Sequence, residues 1–343
     1  MIKNIKRREA MKKIISVLLS AVLLSLLLTG CEPDGGESSA PESGAVSAST
    51  SSEPTASGEE IAPAESPLDD FEFAENDTGI TVVKYLGDDK DVVIPAQVNG
   101  KPVTVIGECS FEKMNIFSVT LPDTVTVIGE GAFGQCKELK NIDLPDSVTE
   151  LQGGAFRESG LETITWSDNL QTIGYSCFAN TNLREVMLPN QLTELLSGVF
   201  VECDNLEKVI FNEGLKLIEG YCFAGAGLKE IVLSSTVTEL QEMSLACPEL
   251  ESVTLNEGLM RIDSYAFCST KLTEIVIPST VTQIYDDAFA HSIYMEKVMF
   301  EGYAPELFRV ENAEPAGTFI VYYHEGAKGF TSPTWNGYKT EIW

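Results

Sequence analysis

The sequence repeats itself at a nearly constant interval, and this period restricts the fold more than any other feature. The segment Ile128–Phe133, IGEGAF, nearly returns as Leu151–Phe156, LQGGAF. An aliphatic residue lies five positions before the last residue of each copy, and a small or short residue lies directly before it. The positions equivalent to Phe133, which fall 22 or 23 residues apart, are Phe111, Phe133, Phe156, Phe178, Phe200, Phe223, Leu245, Phe267 and Phe289. A period of this length, sustained along the chain, is typical of a solenoid.

One period cannot fold alone. Burying about six apolar side chains gains roughly 1.5–3 kcal/mol each, whereas ordering 22 backbones costs about 1–2 kcal/mol each. Stacked periods bury their faces against one another, so stability is shared between neighbours. Within one period, Ile142 and Leu144 are two apart and are predicted to point inward from a strand, with Asp143 outward. The proline that follows, Pro145, ends the pairing.

The segments LKNIDLPDSVTELQGGAF (139–156) and LTEIVIPSTVTQIYDDAF (272–289) resemble the BspA-type leucine-rich repeat of bacterial surface proteins. The resemblance covers about residues 80–300. It implies a leucine-rich-repeat solenoid, mainly β with short turns, of about nine to ten 22–23-residue repeats, curved with a sheet on the concave side. The chain departs from the pattern at Leu245 and Pro248. It also departs where the strand-ending proline is replaced, and there the individual turns are expected to be weaker; these positions are Ser167, Asn212, Ser234 and Asn256.

Both ends of the repeat region resemble the caps of such proteins. Val92–Pro95 is the predicted strand of an irregular first turn, so the solenoid with its N-terminal cap is placed at residues 69–303. A C-terminal cap is placed at 304–343, with a strand at Phe319–Tyr323 and a hairpin at Asn336-Gly337. The cap aromatics are interpreted as a cover for the last turn rather than as a sugar-binding platform; they are Tyr322, Tyr323, Trp335, Tyr338 and Trp343.

The first thirty residues are predicted to be a targeting signal. Lys12 and Lys13 precede an apolar run of about 15 residues, Ile14–Leu28, which is short for a membrane span of roughly 20. The residues Leu28-Thr29-Gly30-Cys31 resemble the bacterial lipobox, which implies a lipoprotein signal peptide at 1–30 and lipid attachment at Cys31. Localisation at the cell surface, on the outer face of a bacterial membrane, follows from this interpretation. The alternative is an ordinary signal peptide with Cys31 unmodified.

Residues 31–68 are predicted to be a disordered acidic, Ser-rich tether. Positions 32–68 hold nine Ser and eight acidic residues, with no Lys, Arg or aromatic residue. Such a segment cannot bury enough apolar surface to offset chain entropy.

The strongly acidic composition limits the partners. The formal net charge is −29, and a field of this sign repels nucleic acid and anionic lipid surfaces. No nucleic-acid partner is therefore expected, and membrane contact is expected only through lipid on Cys31.

No catalytic or metal-binding pattern appears in the sequence. Seven cysteines follow Cys31, and buried thiols are favoured for them; only Cys247 and Cys268, in adjacent turns, could meet as a disulfide. None has CxxC metal spacing. His291 and His324 lie outside any recognised catalytic frame. The prediction is that the protein is not an enzyme and needs no cofactor or metal.

The outward column of the predicted strands changes from polar to apolar along the chain. After Asp143 and Thr165, five of the next six outward residues are apolar, and these are the candidate ligand-binding residues: Met187, Ile210, Val232, Val276 and Met299. Charged residues border this column. The favoured hypothesis is a binding surface for an extracellular protein or glycan, as in adhesion. The alternative is a structural cell-envelope scaffold with no ligand site, because β-branched residues favour strands in any case.

Overall fold

The chain folds into a β-solenoid, as the repeat predicts. The structure is a computed structural model that describes residues 64–306 and 319–343. It forms about 11 turns of roughly 23 residues with almost no helix. Within the described residues the helical content is a 3-10 turn at Leu68–Asp70. None of the helices in that part of the chain is long and apolar enough to cross a membrane.

Each repeat contributes two short strands. In chain order the strands of the described residues are β1 (Phe71–Glu75), β2 (Ile80–Tyr85), β3 (Asp91–Val93), β4 (Gln97–Val98), β5 (Lys101–Ile106), β6 (Ser118–Thr120), β7 (Val127–Ile128), β8 (Asn141–Asp143), β9 (Glu150–Leu151), β10 (Thr163–Thr165), β11 (Thr172–Ile173), β12 (Glu185–Met187), β13 (Glu194–Leu195), β14 (Lys208–Ile210), β15 (Leu217–Ile218), β16 (Glu230–Val232), β17 (Glu239–Leu240), β18 (Ser252–Thr254), β19 (Arg261–Ile262), β20 (Glu274–Ile277), β21 (Gln283–Ile284), β22 (Lys297–Phe300), β23 (Ile320–Tyr323), β24 (Thr334–Trp335) and β25 (Tyr338–Ile342).

The longer strand of each repeat forms the strand face, which consists of β3, β6, β8, β10, β12, β14, β16, β18, β20 and β22. Equivalent residues pair in parallel register, as Ile142 does with Ile164. Ile142 and Leu144 are buried and Asp143 is exposed, which confirms the predicted inward and outward positions. The strands pair two by two, β3 with β6 and β8 with β10, and this two-turn grouping continues to β20 with β22.

The shorter strands form a second ladder that the sequence analysis did not predict. It consists of β5, β7, β9 and β11, followed by β13, β15, β17, β19 and β21. Each strand ends on the aliphatic residue five positions before the Phe, so Ile106 pairs with Ile128 and Ile128 with Leu151. Two residues are too few to show the alternation by which a strand is recognised in a sequence.

The recurring Phe side chains form one stacked column inside the solenoid. Phe111, Phe133, Phe156, Phe178 and Phe200 are fully buried. Consecutive ring centroids along this series lie 5.0, 5.5, 5.5 and 5.6 Å apart. Planes of neighbouring rings from Phe133 to Phe200 differ by at most 10°. The expectation of a single aromatic spine is confirmed.

The second ladder is interrupted at one place in the described residues, which we call the seam, between β11 and β13. Elsewhere the residue after each short strand donates its N–H to the preceding turn, as Gly174 does to Leu151 and Glu219 to Leu195. The equivalent bond from Leu196 to Ile173 is missing, and β11 does not pair with β13. The spine continues across the seam, since Phe178 and Phe200 remain stacked.

Asparagines at two of the missing-proline positions bridge to the preceding turn, a contact that the expectation of weak turns did not include. Asn212 donates from Nδ2 to the carbonyls of Pro189 and, at 3.0 Å, Leu192 in the preceding turn. Its Oδ1 also accepts the N–H of Gly214 at 2.9 Å. Two turns later, Asn256 makes the equivalent three hydrogen bonds, to the carbonyls of Ser234 and Val237 and from the N–H of Gly258. The amide therefore replaces proline's rigidity with bonds that tie two turns together.

Two residues of the predicted tether make hydrogen bonds to the first turn of the solenoid. Ser66 donates its N–H to Val93 at 2.9 Å and accepts the Val93 N–H on its Oγ at 3.0 Å. The side chain of Glu65 accepts the N–H of Ala96. Residues 65 and 66, which the sequence analysis placed in the tether at 31–68, are thus hydrogen-bonded to the folded region. Residues 1–63, which hold the predicted signal and most of the tether, lie outside the described residues.

The C-terminal cap continues the parallel sheet instead of replacing it. β23 pairs with β22, and β25 pairs with β23, both in parallel. β24 and β25 form the predicted hairpin at Asn336-Gly337. Trp335 packs edge-on against Phe300 of the last repeat, with ring centroids 5.9 Å apart. This contact supports the interpretation of the cap aromatics as a cover, although Trp343 is itself exposed.

Replacing Asn212 by Ala is expected to destabilise the chain by about 1–3 kcal/mol, because the buried Leu192 carbonyl loses its donor and the Pro189 carbonyl keeps only the N–H of Leu192. Urea unfolding followed by circular dichroism measures the change. The matched control is Asn205→Ala, which removes an exposed side-chain bond to Asn182 and is expected to cost under about 0.5 kcal/mol. Equal stability of Asn212→Ala and the parent would contradict the bridging role.

Candidate binding surface

Four exposed apolar side chains lie in one outward column of the strand face. They are the apolar stripe: Met187, Ile210, Val232 and Val276, with exposed fractions of 64%, 41%, 55% and 40%. Met187 and Ile210 are direct partners in the parallel ladder between β12 and β14. Thr254 separates Val232 from Val276. At about 4.8 Å per strand, the stripe from β12 to β20 is roughly 19 Å long.

Met299 does not share this exposure, which corrects its prediction as an accessible ligand-binding residue. Its side chain is only 9% exposed. The reason is its place in the sheet, between Val276 of β20 and Tyr322 of β23 in parallel register. Side chains at the same register point to the same face, so the large Tyr322 ring beside it covers the thioether. The stripe therefore ends at Val276.

Charged side chains border the stripe and alternate in sign from turn to turn. In three consecutive strand pairs, from β8 to β18, a basic residue precedes an acidic one, as Arg184 precedes Glu207 and Lys229 precedes Glu251. Glu207 and Glu251 each donate their backbone N–H to the basic residue's carbonyl at 2.8 Å. Exposed pairs of this kind contribute little to stability. Their regular placement instead gives the stripe a charged rim of both signs.

The buried cysteines form no disulfide and no reactive centre. The six buried cysteines of the described residues are free, including Cys247 and Cys268, in agreement with the favoured prediction of buried thiols. The Cys247 Sγ donates to the Phe223 carbonyl at 3.2 Å. Burial raises the pKa of Cys136 to about 12 and that of Cys203 to about 11. A protonated, enclosed thiol is a poor nucleophile and a poor metal ligand.

The described part of the chain contains both histidines of the sequence and many acidic side chains. There, no group of three or more His, Cys, Asp or Glu side chains could hold a metal ion. His324 Nε2 lies 3.0 Å from Glu301 and 3.1 Å from the indole nitrogen of Trp343, in the exposed rim of the C-terminal cap. His291 lies in a surface turn with a positive φ of 59°. His324 lines an open cleft together with Ser279 and Tyr303.

Sequence reasoning found the stripe from the outward strand positions but missed the seam. Its lining residues Gln171 and Thr193 occupy ordinary repeat positions and carry no distinguishing pattern. The one signal is Leu196, an aliphatic residue where other turns have Gly, Gln, Glu, Asp or Tyr. Cys31, the predicted lipid attachment site, lies outside the described residues.

Comparisons with known proteins agree with this architecture. The family described as "BspA type Leucine rich repeat region" matches in six copies at residues 104–210 and 171–296. A leucine-rich repeat protein from Bacteroides ovatus has a TM-score of 0.63 at 21% identity, with 76% of this chain and 71% of that chain covered. No curated protein matches the sequence.

Two further solved structures are similar at lower scores. A leucine-rich cell surface protein from Faecalibacterium prausnitzii is 23% identical, with a TM-score of 0.32 over 69% of this chain and 89% of that chain. The pneumococcal vaccine antigen PcpA is 15% identical, with a TM-score of 0.46 over 81% of this chain and 98% of that chain.

In a chain carrying Cys31→Ser, Cys109 is expected to react with a disulfide reagent at pH 8 before the other six thiols. Cys109 is half-buried and the others are buried. Thiols with a pKa of about 11 to 12, such as Cys203 and Cys136, are roughly 0.01–0.1% thiolate at pH 8, and burial shields all six from the reagent, so they are expected to react only on unfolding. Mass spectrometry of time-resolved labelling identifies the modified residues. Rapid labelling of Cys136 or Cys203 in the folded chain would contradict this arrangement.

Proposed function

The chain belongs to the BspA-type leucine-rich repeat family, and from that premise we propose that it is a binding protein of the bacterial cell surface. Membership of the family suggests a surface or binding role. Solenoids of this family are typically non-enzymatic. The proposal goes further in one respect: the strand face is the part of the molecule that meets the partner, through the apolar stripe and its charged rim.

The exposure of the stripe is the observation that carries this proposal. The interior of the solenoid is filled by the Phe column and the aliphatic residues around it, so only the outside is available for contact. On the strand face, Met187 and Val232 are more than half exposed. The run Met187, Ile210 and Val232 is contiguous apolar surface inside a polar rim, which is characteristic of protein interaction sites.

The composition of the stripe favours a protein partner over a glycan. Met, Ile and Val side chains present flexible or branched aliphatic surface that packs against apolar side chains. Sugars are instead commonly held by flat aromatic rings and hydrogen-bonding groups, and the stripe contains neither. The charged rim supplies orientation through complementary charge on the partner.

The rival proposal is a cell-envelope scaffold with no dedicated ligand site. Thr165 and Thr254, which flank and divide the stripe, are the kind of outward residue that strand propensity alone selects. A scaffold would use the solenoid as a spacer and tolerate charge on the strand face. Substitution in the stripe separates the two.

We also propose that the solenoid is held on the membrane by lipid on Cys31 and a tether through residue 64. Each buried acyl methylene contributes about 0.8 kcal/mol, and a random coil of this length spans roughly 35 Å. The acidic tether repels an anionic surface and favours extension. The solenoid would then be held at a distance from the lipid, where extracellular partners involved in adhesion can reach it.

A double substitution, Met187→Glu with Val232→Glu, is expected to weaken partner binding at least tenfold, or about 1.4 kcal/mol. The carboxylates would have to be desolvated against an apolar partner surface. Partners are identified by screening the parent chain against purified extracellular proteins and a glycan array, and affinities are then measured by surface plasmon resonance.

The matched control is Met260→Glu, an equally apolar residue that is 49% exposed beside the second ladder. It is expected to leave both affinity and unfolding free energy within about 0.5 kcal/mol of the parent. If every partner binds the folded double variant as tightly as the parent, the strand face is not the binding surface and the scaffold proposal is favoured.

Replacing Cys31 by Ala is expected to move the protein from the detergent phase to the aqueous phase in a Triton X-114 partition of expressing cells. Loss of the thiol removes the attachment point for lipid, while the described solenoid is untouched. Partition of the Ala variant into detergent, at the level of the parent, would show that anchoring does not depend on this residue.

A further inference from the structure

We propose that the seam between β11 and β13 is a binding site for an uncharged carbohydrate, separate from the protein-binding strand face. The seam is the place in the described second ladder where consecutive turns are not joined by backbone hydrogen bonds. It exposes main-chain donors and acceptors that every neighbouring turn uses internally.

The missing bonds are defined by comparison with the other turns. On one side of each short strand, a residue donates its N–H to its counterpart one turn earlier, as Gln171 does to Thr149 at 2.9 Å and Lys216 to Thr193 at 2.9 Å. No such bond joins Thr193 to Gln171. On the other side, the bond from Leu196 to Ile173 is also missing. The backbone hydrogen bonds on both sides of the strand are therefore missing, together with the pairing of β11 and β13 between them.

A side-chain bond is lost at the same point. Thr126 and Thr149 donate from Oγ1 to the counterpart carbonyl of the preceding turn, and Thr238 does so at 3.2 Å. Thr193 occupies the same position, but its hydroxyl makes no such bond to Gln171. The carbonyl of Gln171 and the hydroxyl of Thr193 therefore both face the seam, and no hydrogen bond joins them.

The separated strands enclose a cleft of about 400 Å³. Its lining combines the amides of Gln171 and Gln191, the hydroxyls of Thr172 and Thr193, and the carboxylate of Glu194. Leu196 contributes an aliphatic wall and packs against the solenoid core. A cleft of this volume lies within the range of roughly 300–1,000 Å³ that is common for small-molecule sites.

The two turns at the seam are held together on the side of the Phe column, whereas β10 and β12 of the strand face are unpaired there as well. Across the same two turns, Ser176 donates to Ser197 at 2.9 Å and Phe178 donates to Val199 at 3.0 Å. The Phe178 and Phe200 rings are 5.6 Å apart, as in the intact turns. Inserting a peptide strand would require a separation of roughly 9.6 Å, twice the strand spacing. The wedge therefore suits a compact ligand at its mouth rather than an added strand.

The chemistry of the lining fits a sugar. Backbone N–H groups donate, backbone carbonyls and Glu194 accept, and amides and hydroxyls do both. Sugar hydroxyls also donate and accept, so one ring can satisfy groups of both kinds on the two walls. The aliphatic wall formed by Leu196 gives the C–H face of the ring an apolar contact.

Charge selects an uncharged ligand. The lining contains one carboxylate and no cationic side chain, and the chain as a whole carries a net charge of −29. An acidic sugar or a phosphate would be repelled by both. Glu194 accepts hydroxyl hydrogens without requiring a counter-ion on the ligand.

The test is saturation-transfer NMR of the full chain with millimolar N-acetylglucosamine, galactose, mannose, cellobiose, lactose and chitobiose, and with N-acetylneuraminic acid as the acidic arm. At least one neutral sugar is expected to show transfer, and the acidic sugar none. Thr193→Trp, which fills the cleft, is expected to weaken binding of the responding sugar at least about tenfold. The matched control is Met260→Trp, the equivalent exposed position in an intact turn, which is expected to change binding less than about twofold.

Thermal unfolding of each variant shows whether the Trp substitutions keep the fold. If Thr193→Trp does not fold, Gln171→Ala tests the same wall by removing a donor and acceptor, with an expected loss of several-fold. The proposal is overturned if no neutral sugar shows transfer, if N-acetylneuraminic acid is preferred, or if the responding sugar binds the folded seam variant as tightly as the parent. The stripe variant Met187→Glu with Val232→Glu is expected to retain sugar binding, so this test and that of the strand face fail independently.

Discussion

Stacking of one phenylalanine on the next is the interaction on which the rest of the structure depends. Each ring is fully buried and makes its principal aromatic contacts with the turns before and after, at centroid distances of 5.0–5.6 Å from Phe111 to Phe223. Tyr85 extends the column into the N-terminal cap, stacked 5.3 Å from Phe111. Leu245 interrupts the aromatic series yet stays fully buried, so the hydrophobic spine continues where the ring is missing.

A filled spine leaves only the exterior for function, and it fixes where each exterior residue lies. Because turns stack in register, a residue type repeated at one position becomes a line on the surface. The apolar stripe is such a line, with Met187 and Ile210 as direct partners. The seam arises in the opposite way, since it is a local loss of backbone pairing between two turns whose aromatic spine remains intact.

The sequence was sufficient to predict the structural features that follow from the 22–23-residue repeat and from local turn residues. The solenoid, the aromatic column, the inward Ile142 and Leu144, and the hairpin at Asn336-Gly337 all follow from spacing and turn chemistry.

Features that depend on contacts between turns could not be predicted in this way. Asn212 was interpreted as a weak substitute for proline, because its two partners lie about twenty residues earlier in the chain. Met299 was expected to be exposed, because its cover by Tyr322 depends on how the C-terminal cap joins the sheet. The seam differs from its neighbours by hydrogen bonds that are not made, and its one sequence signal, Leu196, does not by itself indicate a missing bond. The stripe as a ligand site, Cys31 as a lipid site and the domain boundaries remain predictions.

A double-mutant cycle on Phe156 and Phe178 tests the central claim most directly. Each Phe→Ala substitution is expected to cost about 3–5 kcal/mol in urea unfolding. Because the two rings stack, the pair is expected to be coupled by about 0.5–1.5 kcal/mol, whereas Phe133 and Phe267, far apart in the column, are expected to add within about 0.5 kcal/mol. Strict additivity for Phe156 and Phe178 would contradict a spine in which neighbouring rings stabilise each other.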